Sequence, residues 1–160
     1  MRLRLIAVGQ KTPAWIEAGF QTYYERFPPH FSLELIEIPA EKRAKNANIT
    51  RIIQAEGDKI LQVIKPSTDV IALEVKGSLW STEKLALHLK NWQRVGKNID
   101  FIIGGTDGLA PTCLQRANFK WSLSPLTFPH ALVRILVIEQ IYRAMCILQN
   151  HPYHRNRDAC

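Results

Sequence analysis

The feature that most constrains this chain is the alternation of two apolar periodicities along its length. Short aliphatic and β-branched runs recur at Leu3 to Val8, Leu33 to Ile38, Asp69 to Val75, Asp100 to Ile103 and Phe119 to Leu123. Bounded mostly by Gly, Pro or polar residues, they read as strands. Longer segments with apolar residues at helical spacing lie between them. Thr12-Pro13 supplies an N-cap and a first-turn proline for a helix running to about Arg26, with Trp15, Phe20, Tyr23, Tyr24 and Phe27 as its apolar surface. Pro28-Pro29 stops it. A second helix, capped near Asn46 or Asn48, carries Ile49, Ile52, Ile53, Ile60, Leu61 and Ile64. A third begins at Ser81, has Glu83 in its first turn, and turns Leu85, Leu87, Leu89 and Trp92 inward. This order predicts an α/β fold: a mostly parallel sheet of five to six strands with helices on both faces. No repeat, linker or biased segment divides residues 1–160, so a single domain is expected.

The last helix, from about His130 to Asn150, is apolar almost all round. Glu139, Gln140 and Arg143 share its one polar face. A surface helix would show a wider polar stripe. It is therefore either a central core helix or one that also meets a second subunit, and a homodimer is the expectation.

Composition narrows the class. With 46% hydrophobic and 22% charged residues, the 160-residue chain can bury a real core. Its net charge of +7 favours a polyanionic partner. The three cysteines, Cys113, Cys146 and Cys160, show no CxxC spacing, which speaks against a disulfide framework or a zinc site. Cys146 lies in an apolar run and reads as core. The N-terminal apolar run, Leu5 to Val8, is too short for a signal peptide. The stretch Ala131 to Leu148 is broken by Arg134, Glu139, Gln140 and Arg143, so no membrane span is expected. A soluble, cytoplasmic protein follows.

In open parallel sheets, ligands bind outside the carboxyl ends of the strands. Three loops fall there: Leu73 to Gly77, Gly104 to Gly108, and Ser122 to Phe128. Glycines in the first two allow a close backbone approach. Pro125 and Pro129 brace the third, whose Leu123, Leu126 and Phe128 would wall a flat heteroaromatic ring. Neither GxGxxG nor GxxxxGK[ST] occurs, which weakens dinucleotide-fold and P-loop readings. His151 and His154 lack a third ligand nearby and have Pro152 between them, so no metal is expected. HPYHRNR is a basic tail with one aromatic, either a solvated terminus or a nucleic-acid contact. Spacing alone assigns no catalytic triad.

Taken together, MRLRLIAVGQ, SLELIEIPAEKR, FIIGGTDGL, WSLSPLTFPHALVRILVIEQIYRA and HPYHR resemble the RlmH family of SPOUT-superfamily methyltransferases, in order, over residues 1 to about 155. The resemblance implies a C-terminal trefoil knot, an exception to the rule against threaded chains. It implies transfer of a methyl group from S-adenosylmethionine to N3 of a pseudouridine in 23S rRNA, by a homodimer acting on the assembled ribosome, without a metal. Its cofactor contacts fall on Leu73, Gly104, Leu123, Ser124, Pro125, Leu126, Thr127 and Phe128, within the three loops already singled out. Thr106-Asp107 departs from the Pro-Glu pair often found in such relatives, and the chain runs on past HPYHR. Because N3 must lose a proton, a base or a nearby positive charge is needed. His130, Arg134, His154 and Arg155 are the candidates. His151, Tyr153, His154 and Arg155 suit an RNA-facing tail, and Glu139 and Arg143 suit a dimer seam. Two rivals stand: a non-enzymatic ribosome-binding factor of the same fold, and a tRNA methyltransferase of the same superfamily.

Overall fold

The computed structural model describes residues 1–155; Cys160 and the extension past HPYHR lie outside the described residues. The elements in order are β1 (Arg2–Val8), α1 (Ala14–Tyr24), β2 (Ser32–Ile38), α2 (Ile49–Val63) and β3 (Asp69–Leu79). They are followed by α3 (Thr82–Val95), β4 (Ile99–Ile103), α4 (Pro111–Arg116), β5 (Phe119–Ser122) and α5 (His130–Leu148). The five strands form one sheet in the order β2-β1-β4-β3-β5. Every pairing is parallel, so every strand ends at the same edge.

Two cores lie against the two faces. Leu3, Leu5, Ala7, Ile71 and Phe101 pack with α1, α3 and α5. Ile6, Val8, Val70, Ala72 and Ile102 pack with Ile60 of α2 and Cys113 of α4. Residues alternate between faces along each strand, and both faces are covered, so the strands read as unbroken apolar runs. Arg4 and Asp100 interrupt the second face, directly opposite one another in the β1–β4 register. Arg4 donates Nε at 2.7 Å and Nη2 at 2.6 Å to the two Asp100 oxygens, and Nη2 also reaches the Val63 carbonyl at 2.9 Å. The pair is buried but fully engaged, which offsets much of its desolvation cost.

Asn48 and Ser81 cap α2 and α3 by accepting from the N–H groups of Arg51 and Lys84. Several local expectations are corrected. Pro13, not Thr12, takes the N-cap position of α1, with no side-chain cap. Trp15 is 62% exposed and Leu87 66% exposed. The 3.6-residue repeat puts Ile16 and Phe20 on the inner side of α1, and Leu85, Ala86, Leu89 and Trp92 on that of α3, leaving Trp15 and Leu87 outside. Strand β3 runs on to Leu79 through a bulge, and α4, which opens on Pro111, is an additional helix. Cys113 and Cys146 are buried free thiols. Burial pushes the Cys113 thiol up to about 11. Among the described residues no helix is long and apolar enough to cross a membrane.

Candidate active site

The three strand-end loops meet in one cavity of about 360 Å³. Leu73, Gly104, Leu123, Ser124, Leu126, Thr127 and Phe128 line it; Pro125 does not. Glu74 and Val75, inside the expected Leu73 to Gly77 loop, also line it, as do Trp121 and Val133, which the sequence reasoning missed. A bulge accounts for the first two. Leu73 and Ser78 of β3 both pair with Trp121 of β5, so the residues between them swing out of the ladder towards the cavity mouth. Gly77 permits this, since a Cβ there would lie 2.6 Å from the Lys120 carbonyl oxygen.

The glycine turn after β4 is closed by the Gly108 N–H donating to the Gly105 carbonyl at 3.0 Å. Gly108 has φ +86, a left-handed conformation that favours glycine. Gly104 has no room for a side chain, because a Cβ would stand 2.5 Å from the Gly108 carbonyl carbon. The facing loop is held from within. Ser122 Oγ donates to the Ser124 carbonyl at 3.0 Å, and the Leu126 N–H donates to Ser124 Oγ at 3.0 Å. Pro125 and Pro129 add backbone stiffness without N–H groups of their own. The result is two rigid backbone turns facing each other across a partly apolar gap.

His130 lines the cavity at the first position of α5. Burial lowers its pKa, and the positive charges of Arg134 and Arg43 lower it further against the opposing pull of Glu56. Its imidazole is neutral at neutral pH and can accept a proton. Trp121 also lines the cavity, and its buried Nε1 has no partner among the described residues.

The other candidate residues lie elsewhere. Arg134 is buried outside the cavity lining. It donates Nη1 to Glu37 at 2.8 Å and Nη2 to the carbonyls of Gly9 at 2.6 Å and Val8 at 3.2 Å. That set joins the start of α5 to the end of β1 and to the edge strand β2. Residues 151–155 are docked, not extended. Asn150, at φ +54, reverses the chain after α5. Tyr153 then packs edge-on to Tyr142 at 4.9 Å and donates its hydroxyl to Glu139 at 3.1 Å. Burial and the Glu139 charge push its phenol up to about 12, so it stays a donor. Arg143 lies 4.7 Å from the Tyr153 ring centre and pairs with Glu139 at 2.6 Å. His154 Nε2 stands 3.2 Å from Glu83 in the first turn of α3, and Arg155 is exposed. His151 is exposed, with its Nδ1 accepting from the Tyr153 N–H at 3.2 Å. None of these tail residues lines the cavity of its own chain. Among the described residues, no three His, Cys, Asp or Glu side chains gather as metal ligands.

Comparison with known proteins agrees with this geometry. The family profile described as "Predicted SPOUT methyltransferase" matches residues 1–154. A protein of Pseudomonas aeruginosa named ribosomal RNA large subunit methyltransferase H is 52% identical over 155 residues, covering 97% of this chain and all of its own length (100%). The Pseudomonas putida protein of that name is 50% identical over the same 155 residues. Among solved structures, a "probable methyltransferase" of Bordetella pertussis superposes with a TM-score of 0.59 at 14% identity, covering 90% of this chain and 96% of its own. A Legionella pneumophila protein described as a "putative methyltransferase" and solved with S-adenosylmethionine bound has a TM-score of 0.50 at 9% identity, covering 91% of this chain and 66% of its own. These two structures speak for the fold alone. The family match and the full-length identities carry more: this chain belongs to the SPOUT methyltransferases, and within them to the RlmH family.

Proposed function

We propose that this protein methylates large-subunit ribosomal RNA with S-adenosylmethionine as donor. The observation that carries the reading is the meeting of the glycine turn and the proline-braced loop in one cavity, in a chain 52% identical from end to end to a protein named for that activity. The cavity suits such a cofactor. It offers apolar walls at Leu73, Leu123 and Phe128 and a turn at Gly104 with no room for a side chain. In this reading Leu73, Gly104, Leu123, Ser124, Leu126, Thr127 and Phe128 hold the cofactor, and Pro125 keeps their loop rigid.

When bound, S-adenosylmethionine supplies an already electrophilic sulfonium methyl group. The protein's task is then to position the acceptor and manage one proton. For N3 of a pseudouridine, the acceptor the family resemblance implies, that proton must leave with help. His130 is the group placed to take it: it lines the cavity, and burial with the charges of Arg134 and Arg43 outweighs the opposing pull of Glu56, so the ring is neutral at neutral pH. Arg134 is a positioning residue that fixes the helix on which His130 stands.

The homodimer, the C-terminal knot and action on the assembled ribosome in the cytoplasm belong to the same proposal. Half-buried Leu132 and Leu136 on α5, which take no part in the chain's own core clusters, support the dimer. The knot rests on the family resemblance.

Calorimetry with S-adenosylmethionine and transfer of labelled methyl to ribosomes test the reading together. Cofactor binding with transfer to large-subunit RNA is expected. Binding without transfer favours the non-enzymatic factor, and transfer to tRNA favours the other methyltransferase.

A further inference from the structure

The segment between β2 and α2, residues 39–48, is absorbed by none of the chemistry above, yet it reaches the glycine turn that lines the cavity. It leaves the same sheet edge as the three cavity loops, because β2 is parallel to its neighbours. Two contacts carry it over the glycine turn. Arg43 forms an ion pair with Asp107, which lines the cavity mouth. The Glu41 N–H donates to Glu56 Oε2 at 3.1 Å, and Glu56 is 4% exposed and lies against Gly105 from below. Lys59 closes the base of the segment on the Glu41 carboxylate at 2.6 Å. The loop is thus fixed at its root and pinned at Arg43.

Its outer surface is cationic. Lys42 and Lys45 are exposed and make no ion pair among the described residues. Arg51, in the first turn of α2 just after the segment, is a third exposed cation. The positive charge of Arg43 is felt at His130, so the loop belongs electrostatically to the site and not to a remote surface. Few apolar anchors accompany these charges in 39–48, which disfavours a lipid surface. A flexible row of lysines matches a sugar–phosphate backbone, whose phosphates flank any base presented to the cavity.

We infer that residues Glu41–Asn48 are the phosphate-contacting arm of the substrate site, with Lys42 and Lys45 meeting the RNA backbone while Arg43, held on Asp107, keeps the arm over the cavity. This rests on the ribosomal RNA reading above. It adds to it a surface of this chain that takes the backbone next to the target base.

The test compares the double variant Lys42→Glu, Lys45→Glu with the unaltered protein. Both sites are exposed, so the thermal midpoint and the calorimetric cofactor affinity are expected to stay unchanged. Affinity for ribosomes should fall at least tenfold, and the slope of log affinity against log salt should become shallower by about 1.5, as for two lost phosphate contacts. Equal ribosome affinity in the two proteins across the salt range overturns the arm. A loss of affinity at unchanged slope also overturns it, pointing to an acidic protein neighbour in place of RNA. If the unaltered protein binds cofactor but transfers nothing to ribosomal RNA, the functional reading itself fails. Placement of the loop is read separately, by NMR titration of His130 in Arg43→Ala. The midpoint should rise with the positive charge gone; an unmoved midpoint takes the loop away from the cavity.

Discussion

Arg134, one turn into α5, places its guanidinium 2.8 Å from the Glu37 carboxylate on the edge strand β2. With its bonds to the Val8 and Gly9 carbonyls, this contact ties the helix carrying His130 to the end of the first strand, the far side of the sheet from β5. A residue type that could have served chemistry directly is engaged in holding the scaffold.

Removing that tie should cost stability before it costs chemistry. Arg134→Ala leaves two carbonyls and the Glu37 carboxylate short of a donor, a loss of about 3 kcal/mol. Glu37→Gln, partly exposed and still able to accept, should cost about 1 kcal/mol or less. Urea denaturation of both variants checks the order. Equal effects would mean that the Glu37 charge, not the carbonyl contacts, carries the tie.

Gly104 tests the cavity. Gly104→Val must push a side chain into the Gly108 backbone, so the turn has to open. Cofactor affinity should fall tenfold or more, about 1.4 kcal/mol. A folded variant that binds cofactor as tightly as the original removes Gly104 from the site.

His130 gives a pH signature. Its pKa in the folded protein lies below the ordinary 6.5, chiefly through burial. A reaction needing the neutral ring should therefore gain rate with rising pH through a midpoint below 6.5 and be level at neutral pH. For stability the sign is the same. The unfolded chain binds the proton more readily, so this contribution is full above the unfolded pKa and lost as pH falls through the folded one. His130→Ala should abolish the acid limb and lower kcat more than it alters cofactor binding. A limb that survives the substitution assigns it to another group.

The tail can be removed. Truncation after Asn150 deletes Tyr153 with its ring contacts and its bond to Glu139, costing about 2 kcal/mol of stability. Cofactor binding should persist, because among the described residues none of 151–155 lines the cavity, while transfer to ribosomes should be lost. Full-rate transfer by the truncated protein would make the tail a structural clasp and nothing more.

The half-buried apolar stripe of α5 predicts a sedimenting species of twice the 18.3 kDa chain mass at micromolar concentration. Leu136→Glu, on that stripe, should shift the population to monomer. A monomer in the unaltered protein would leave the stripe without its proposed partner.

Much of the site was legible before any coordinates. The glycine turn at Gly104 and the loop around Pro125 announce themselves by composition, because only certain residues adopt tight, stiff backbone. The loop holding Glu74 and Val75 was also found at its strand end, but the bulge that turns it out of the ladder was not legible, since a bulge is a mismatch between two strands and neither strand shows it alone. Helix faces were read less well than helix positions. Counting apolar residues placed Leu87 inside, whereas the 3.6-residue repeat around Leu85, Leu89 and Trp92 puts it outside.

The sequence alone was enough for the five strands, four of the five helices, their parallel arrangement as a class, and the backbone character of the three cavity loops. All of these follow from local periodicity and local conformational preference. Tertiary structure alone decided the strand order, the burial of Arg134 against Glu37 across 97 residues of chain, the pairing of Arg43 with Asp107 across 64, and the folding back of Tyr153 onto Glu139. Charged side chains carry no periodic signature of their partners. Which carboxylate an arginine meets is set by which strands lie side by side, and that is fixed only when both faces of the sheet are packed.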